Sequence, residues 1–245
     1  MRTSRFVTVC MIGMACIATA ALPTHAISQL DFGIIAPTGG VISFSGQAGD
    51  PLVGMDIEVD QVVGLGTPAN AGAPVTIIDG LINFDTGGSS TQPGDGFWSF
   101  NPGGEITVTG AVPSVGISDP DTVLLNGNFQ MALVVPAGLV FRVAVAEFLD
   151  FQNSTLTDHF GLPGGPDNEF QGHMNLSFLS FGSTDVGALE DGFESFVVLS
   201  GGIENTPVEN TVVIPAPASA WAGATVMGLI AAVGFRRMRL ASWAA

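Results

Sequence analysis

The sequence predicts an all-β domain, an antiparallel β-sandwich of jelly-roll-like or Ig-like kind, on three observations. The chain is dense in glycine and proline, 33 and 15 of 245 residues. Between Ile27 and Val212 the segments they separate are short, β-branched or aromatic, and often alternate apolar with polar, as half-buried strands do. Two dipeptides, Asp79-Gly80 and Asn126-Gly127, stand between such segments, where a two-residue hairpin turn needs residues that tolerate positive φ. The stretch is long enough for one domain with a sizeable core, and about nine to eleven strands fit two layers.

Residues 1–26 precede that body and have the three parts of a secretory signal peptide. Arg2 and Arg5 form the basic start, Phe6 to Ala21 is uncharged and apolar, and Thr24-His25-Ala26 offers the small residues of a cleavage site. Cleavage is expected after Ala26. Both cysteines, Cys10 and Cys16, fall in the removed part. Disulfides, thiolate zinc sites and cysteine nucleophiles are thereby excluded from the mature protein.

Within the body (27–212), the first strand candidates are Val41 to Ser45 and Met55 to Val63. "VTIIDGLINF" then reads as a hairpin, with Ile78 paired to Leu81. That register places Ile77 opposite Ile82 and Val75 opposite Phe84 on one apolar face, and Thr76 opposite Asn83 on the other. Phe97 to Phe100 and Glu105 to Gly110 follow. "TVLLNGNFQM" reads as a second hairpin, setting Leu124 against Phe129 and Thr122 against Met131. On this reading Gly127→Val opposes the turn and destabilises, whereas Gly201→Val does not do so comparably. Leu139 to Val145, Asn175 to Phe181 and Ser195 to Ser200 complete the strands. Val143 to Phe151 suits a strand or a short helix, and Asp158 to His173 reads as a long loop.

The body holds all 22 carboxylates against one base, Arg142, a net charge of −21, and the whole chain has no lysine. Such a field repels nucleic acid and anionic lipid, and keeps a protein soluble. It also suits divalent cations. "DIEVD" places Asp56, Glu58 and Asp60 on one strand face, where a loop could complete a calcium shell; the competing reading is a solvated face with Ile57 and Val59 turned inward. His159 and His173 bracket the long loop with Asp158, Asp167 and Glu169, but no HExxH or GxSxG motif frames them. Asp119 and Asp121 are turn formers. Paired carboxylates could serve a glycosidase, yet nothing singles out a pair among 22. No catalytic residue, no resident metal and no cofactor is assigned, calcium being the one cation considered, and no catalysis is expected.

The last segment, 213–245, differs from the body. Ala218 to Phe235 is uncharged and as a helix would rise about 27 Å, close to the hydrocarbon thickness of a bilayer. Arg236, Arg237 and Arg239 follow as a basic stop-transfer cluster that keeps this end cytoplasmic, leaving the body outside. Pro215 and Pro217 hold the chain extended just before the span. This order of Pro-x-Pro, span and arginines resembles the PEP-CTERM sorting signal of exported bacterial proteins. Pro215, Ala216 and Pro217 correspond to the short motif, with Ala216 where the family usually has glutamate, and "LASWAA" trails past the arginines. The resemblance implies processing by an exosortase and association with extracellular polysaccharide or biofilm matrix; with the N-terminal signal removed by signal peptidase, the chain is then expected as a membrane-anchored precursor. A plain single-span anchor has the same topology. The expected function is that of an exported cell-surface or matrix protein with a structural or interaction role. The alternatives are a calcium- or glycan-binding module on a membrane anchor and a secreted glycoside hydrolase.

Overall fold

The structure, a computed structural model, describes residues 27–35, 37–90, 96–137, 140–181 and 192–208. The signal peptide with Ala26, and the tail with Pro215, Ala216, Pro217, the span 218–235, Arg236, Arg237 and Arg239, lie outside the described residues. Among the described residues no helix is long and apolar enough to cross a membrane.

The described chain forms strands β1 (Gln29–Ile34), β2 (Val41–Phe44), β3 (Pro51–Glu58), β4 (Gln61–Leu65), β5 (Pro74–Thr76), β6 (Ile78–Gly88), β7 (Trp98–Phe100), β8 (Gly104–Ala111), β9 (Val123–Ala137), β10 (Val140–Gln152), β11 (Glu169–Phe181) and β12 (Phe193–Pro207). One helix, α1 (Ser154–Phe160), lies between β10 and β11. All strand pairings are antiparallel, and they follow the chain. Short strands join end to end into longer staves. β1 and β2 both run along β12, through Leu30↔Asn205 and Phe44↔Phe193. β3 with β4 runs along β6 with β5, through Ile57↔Ile82 and Val62↔Val75, and β7 with β8 runs along β9.

β11 pairs with β12 from Phe170↔Pro207 to Phe181↔Glu194, which closes the order β11-β10-β9-β8-β6-β3-β2-β12 on itself. The all-β antiparallel class therefore stands, but the expected sandwich gives way to an eight-stave up-and-down barrel. Its sequential neighbours pair directly, without the Greek-key crossovers that a two-sheet sandwich uses.

A barrel of this size is just wide enough for side chains to fill, and this one is filled. β1 and β2 alternate half-buried with buried residues, and the buried apolar side chains form one core. Near one end, the rings of Phe44, Trp98, Phe100, Phe141, Phe178 and Phe193 meet at centroid separations of 5.2 to 6.0 Å. Further along, Phe129 packs between Phe84 and Phe148 at 5.8 and 5.7 Å. Among the described residues the apolar side faces in and the carboxylates, Asp150 apart, are exposed or half-buried, the reverse of a membrane-spanning barrel with a polar lumen.

Neither expected two-residue hairpin exists. β6 runs straight through Asp79-Gly80, where Asp79 takes φ of 51° and the register against β8 shifts between Ile78 and Leu81. This is a bulge. The connection that turns the chain back is 66–73, between β4 and β5, with Gly66, Asn70 and Gly72 all at positive φ. β9 likewise runs through Asn126-Gly127, and Gly127 pairs with Ile106 on one side and Asp150 on the other. The expected strand Met55 to Val63 is divided between β3 and β4, with Asp56 at φ 52° in a second bulge.

Val143 to Phe151 is strand, within β10. The helix comes next, where Asn153 caps α1 by accepting from the backbone N–H of Thr155 at 3.0 Å and Leu156 at 3.4 Å. Gly161, at φ 71°, ends it. The expected long loop thus shrinks, because Asp158 and His159 belong to α1 while Glu169 and His173 belong to β11.

Candidate functional site

The carboxylates singled out in the sequence sit on the outer wall. Asp56 and Glu58 are exposed, Asp60 is half-buried, and Ile57 and Val59 are buried as the alternation requires. Glu58 Oε2 accepts from Thr38 Oγ1 at 2.7 Å, and Asp60 Oδ2 accepts from the Ile35 N–H at 2.6 Å. These bonds bind the broken stretch between β1 and β2 to its neighbour. With the exposed Asp79, Glu58 and Asp60 line an open hollow of 360 Å³. Among the described residues no three His, Cys, Asp or Glu side chains are placed to hold a metal ion. Asp119 behaves as a turn former, its Oδ1 accepting from the Asp121 N–H at 3.0 Å.

The two histidines are not brought together. His159 ends α1 with its ring edge-on to Phe160 at 4.9 Å. His173 faces outward on β11, flanked in register by Glu147 of β10 and Glu204 of β12, with Asp31 of β1 beyond Glu204. Burial, and then the charge of Glu204, holds the Asp31 carboxyl above its ordinary range. This row extends the acidic wall.

A second outer hollow, of 270 Å³, is lined by Val53, Met55, Asn83, Asp85, Glu105 and Thr107 among others. The Asn126 amide reaches across from β9 to donate to Glu105 Oε1 and, at 3.3 Å, to Thr107 Oγ1. Carboxylates, amides and a hydroxyl there form a flat polar ladder with exposed Met55 at its edge.

The chemistry that the sequence reading missed lies inside the barrel. Phe148, Asp150 and Gln152 alternate inward along β10, all at most 3% exposed, and Asn205 of β12 is fully buried. Asp150 lies in register between Gly127 and Phe170. Its Oδ1 accepts from Gln152 Nε2, while Asp150 Oδ2, Gln152 Oε1 and both polar atoms of the Asn205 amide have no hydrogen-bond partner. Burial pushes the Asp150 carboxyl up to about 8, with the Gln152 hydrogen bond pulling the other way and the Glu169 charge adding to the rise. A neutral Asp150 carries an O–H donor, and Gln152 Oε1 is an acceptor of the matching kind on the same strand.

The signal for this group was present in "FLDFQN", where Phe148 fixes the inward phase and Asp150 and Gln152 follow at the two-residue period. Comparison with family models, with curated proteins and with solved structures finds no match for the chain.

Proposed function

We propose that the chain is an exported cell-surface or extracellular-matrix protein with a structural or interaction role and no catalysis. It is delivered by its N-terminal signal, sorted through its PEP-CTERM-like tail, and held meanwhile as a membrane-anchored precursor. The observation that carries the interaction reading is the filled barrel. A core of packed aromatic rings leaves partner contacts to the outer surface, and among the described residues every carboxylate but Asp150 is exposed or half-buried there. A hydrated, anionic, rigid body of this kind suits a polysaccharide matrix, where charge prevents collapse and hydroxyl-rich chains can hydrogen-bond to exposed acids and amides.

Sorting is tested by intact-mass measurement of protein extracted from the surface of cells that possess an exosortase. Loss of the segment beyond Pro215 to Ser219 is the expected result. A mass that includes everything through Ala245 leaves only the plain anchor.

A glycan-binding module on an anchor is the second reading, and the polar ladder Asn83, Asp85, Glu105, Thr107 and Asn126 favours it. Retardation of the protein in native gels containing its own matrix polysaccharide, abolished by Glu105→Ala with Asn126→Ala, distinguishes this reading from a purely structural role.

A further inference from the structure

We propose that Asp150, Gln152 and helix α1 form a proton-controlled latch over one end of the barrel, closed while Asp150 carries its proton and released when it ionises.

Position comes first. Asp150 lies at the end of β10, three residues before Asn153, the residue that caps α1. Asn153 also fixes the strand end to β9, its N–H donating to Leu124 O at 2.9 Å and its amide to Val123 O at 3.1 Å. Whatever moves Asp150 outward therefore pulls on the cap. α1 itself has seven residues and cannot persist in isolation. It is held by buried Leu156 and Phe160 and by Ala69 N–H donating to Phe160 O at 3.0 Å, while the segment after it is tied to the end of β10 by Gly165 N–H donating to Gln152 O at 3.2 Å. Phe160 fills the space over Gly64, where an added Cβ would also lie 2.6 Å from Thr67 Oγ1. The helix thus closes the end of the barrel away from the main aromatic cluster.

The surroundings of Asp150 favour its neutral form and, among the described residues, offer no cation to balance a charge. Opposite it on β9 is Gly127, where even a methyl group would come within 2.6 Å of Asp150 Cβ. On β11 its register partner is buried Phe170, next to Glu169, whose carboxylate repels a second negative charge. From α1 the buried Thr157 has its hydroxyl committed to Asn153 O and Ser154 O, and Asp158 is acidic and exposed. Across β11 the register position on β12 is the uncharged Pro207, and the neutral Asn205 stands two residues along, beside Gly172 and Phe148. The bases stand elsewhere: Arg142 is exposed on the outer wall, His173 faces outward, and His159 packs on Phe160 at the far end of α1. An ionised carboxylate without a cation and with one hydrogen bond is strongly unfavourable in such a place. Hydration by outward movement of 150–153 is the shortest route to relief, and it undoes the cap.

The test uses hydrogen exchange on the full-length chain at pH 6 and pH 9, corrected for the intrinsic rate, comparing α1 amides with amides of β2 and β12 at the aromatic end. Protection of α1 is expected to fall about tenfold or more between the two conditions while the reference amides change little, and Asp150→Asn should abolish the difference. An unchanged α1, a loss shared equally by the reference strands, or an equal loss in Asp150→Asn overturns the latch. Should Asp150→Asn not fold, the carboxyl carbon of Asp150 is titrated by NMR in the unsubstituted protein. A midpoint near 8 is expected, and one in the ordinary range near 4 overturns the proposal.

Discussion

Phe148 of β10 occupies the space that a side chain at its register partner Gly172 of β11 would need; a Cβ there would lie 2.1 Å from the ring carbon Cε2 and 2.6 Å from Asn205 Oδ1. Phe84 stands over Gly54 in the same way on the other side of the barrel, and Phe160 over Gly64. Inward-facing glycine beside a large ring lets a narrow barrel hold many aromatic side chains at normal packing density. The high counts of phenylalanine and glycine in the sequence, 17 and 33, are therefore linked: some of the glycines are there to make room for the rings.

Gly172→Ala is therefore expected to destabilise the barrel by about 2–3 kcal/mol, the usual range for overpacking. Gly33→Ala should stay within about 1 kcal/mol, because the nearest atoms belong to the Gln61 side chain, at 3.2 Å, and can swing aside. Urea midpoints decide the matter, and Phe148→Leu in the Gly172→Ala background should recover some of the loss. If the two glycine variants have equal midpoints, the fit of ring to glycine does not limit stability.

Gly127→Val and Gly201→Val should both destabilise severely. In the sequence Gly127 fits a two-residue turn and Gly201 has no comparable constraint; the structure places both in strand interiors with blocked Cβ positions. At 127 the added carbon would lie 2.5 Å from Leu149 O, and at 201 it would meet Asn175 O and come within 2.6 Å of Leu176 Cδ2. A parental melting temperature for Gly201→Val contradicts this placement.

The misread hairpin at Asp79-Gly80 shows what a pattern can and cannot carry. A two-residue turn and a one-residue bulge both shift the inward phase by one, so Val75 and Ile77 before the site and Ile82 and Phe84 after it are buried in either case. Burial was legible; pairing was not, because β-strand partners are chosen by long-range closure of the barrel. Asp was also read correctly as tolerant of positive φ, and it is used that way. Asp79→Asn is expected to be neutral and Asp79→Val to cost about 1–2 kcal/mol, measured by denaturant midpoint. If valine is accepted there without loss, the bulge does not hold its left-handed residue in solution.

The interior polar group escaped notice for a related reason. A chain with 22 acids must turn most of them to water, so Asp150 at its inward phase does not stand out in the sequence from the rest. His159 and His173 bracket what the sequence presents as one long loop. The breaks at Gly161 and Glu169 put them on different elements.

The acidic wall itself should respond to ionic strength more than to the identity of the cation. Raising sodium chloride from about 10 mM to 500 mM shortens the Debye length to a few ångströms and is expected to raise the melting temperature by relieving self-repulsion. Millimolar calcium should then add no more than the same magnesium, because Glu58 and Asp60 already accept hydrogen bonds from Thr38 and Ile35. A calcium-selective rise, lost in Glu58→Gln, would establish a specific calcium site there.

Global stability should fall as pH rises from about 4 to about 8, with Asp150 the main cause. Its carboxyl is held up to about 8 in the folded barrel, first by burial, against an ordinary value near 3.8. Over that window the folded state keeps a proton that the unfolded chain releases, so stability is full below the lower value and declines through the upper one. Four pH units of difference correspond to roughly 5 kcal/mol at most, and local release of the latch would cap the loss at the smaller cost of that opening. Asp31 is shifted in the same direction by burial and Glu204, and adds to the slope. Asp150→Asn keeps the shape, cannot ionise and should flatten most of the decline, so that the variant overtakes the parent above pH 8. Urea midpoints for both proteins between pH 4.5 and 9 measure this; parallel profiles would assign the pH dependence to the surface carboxylates and leave Asp150 ionised without consequence.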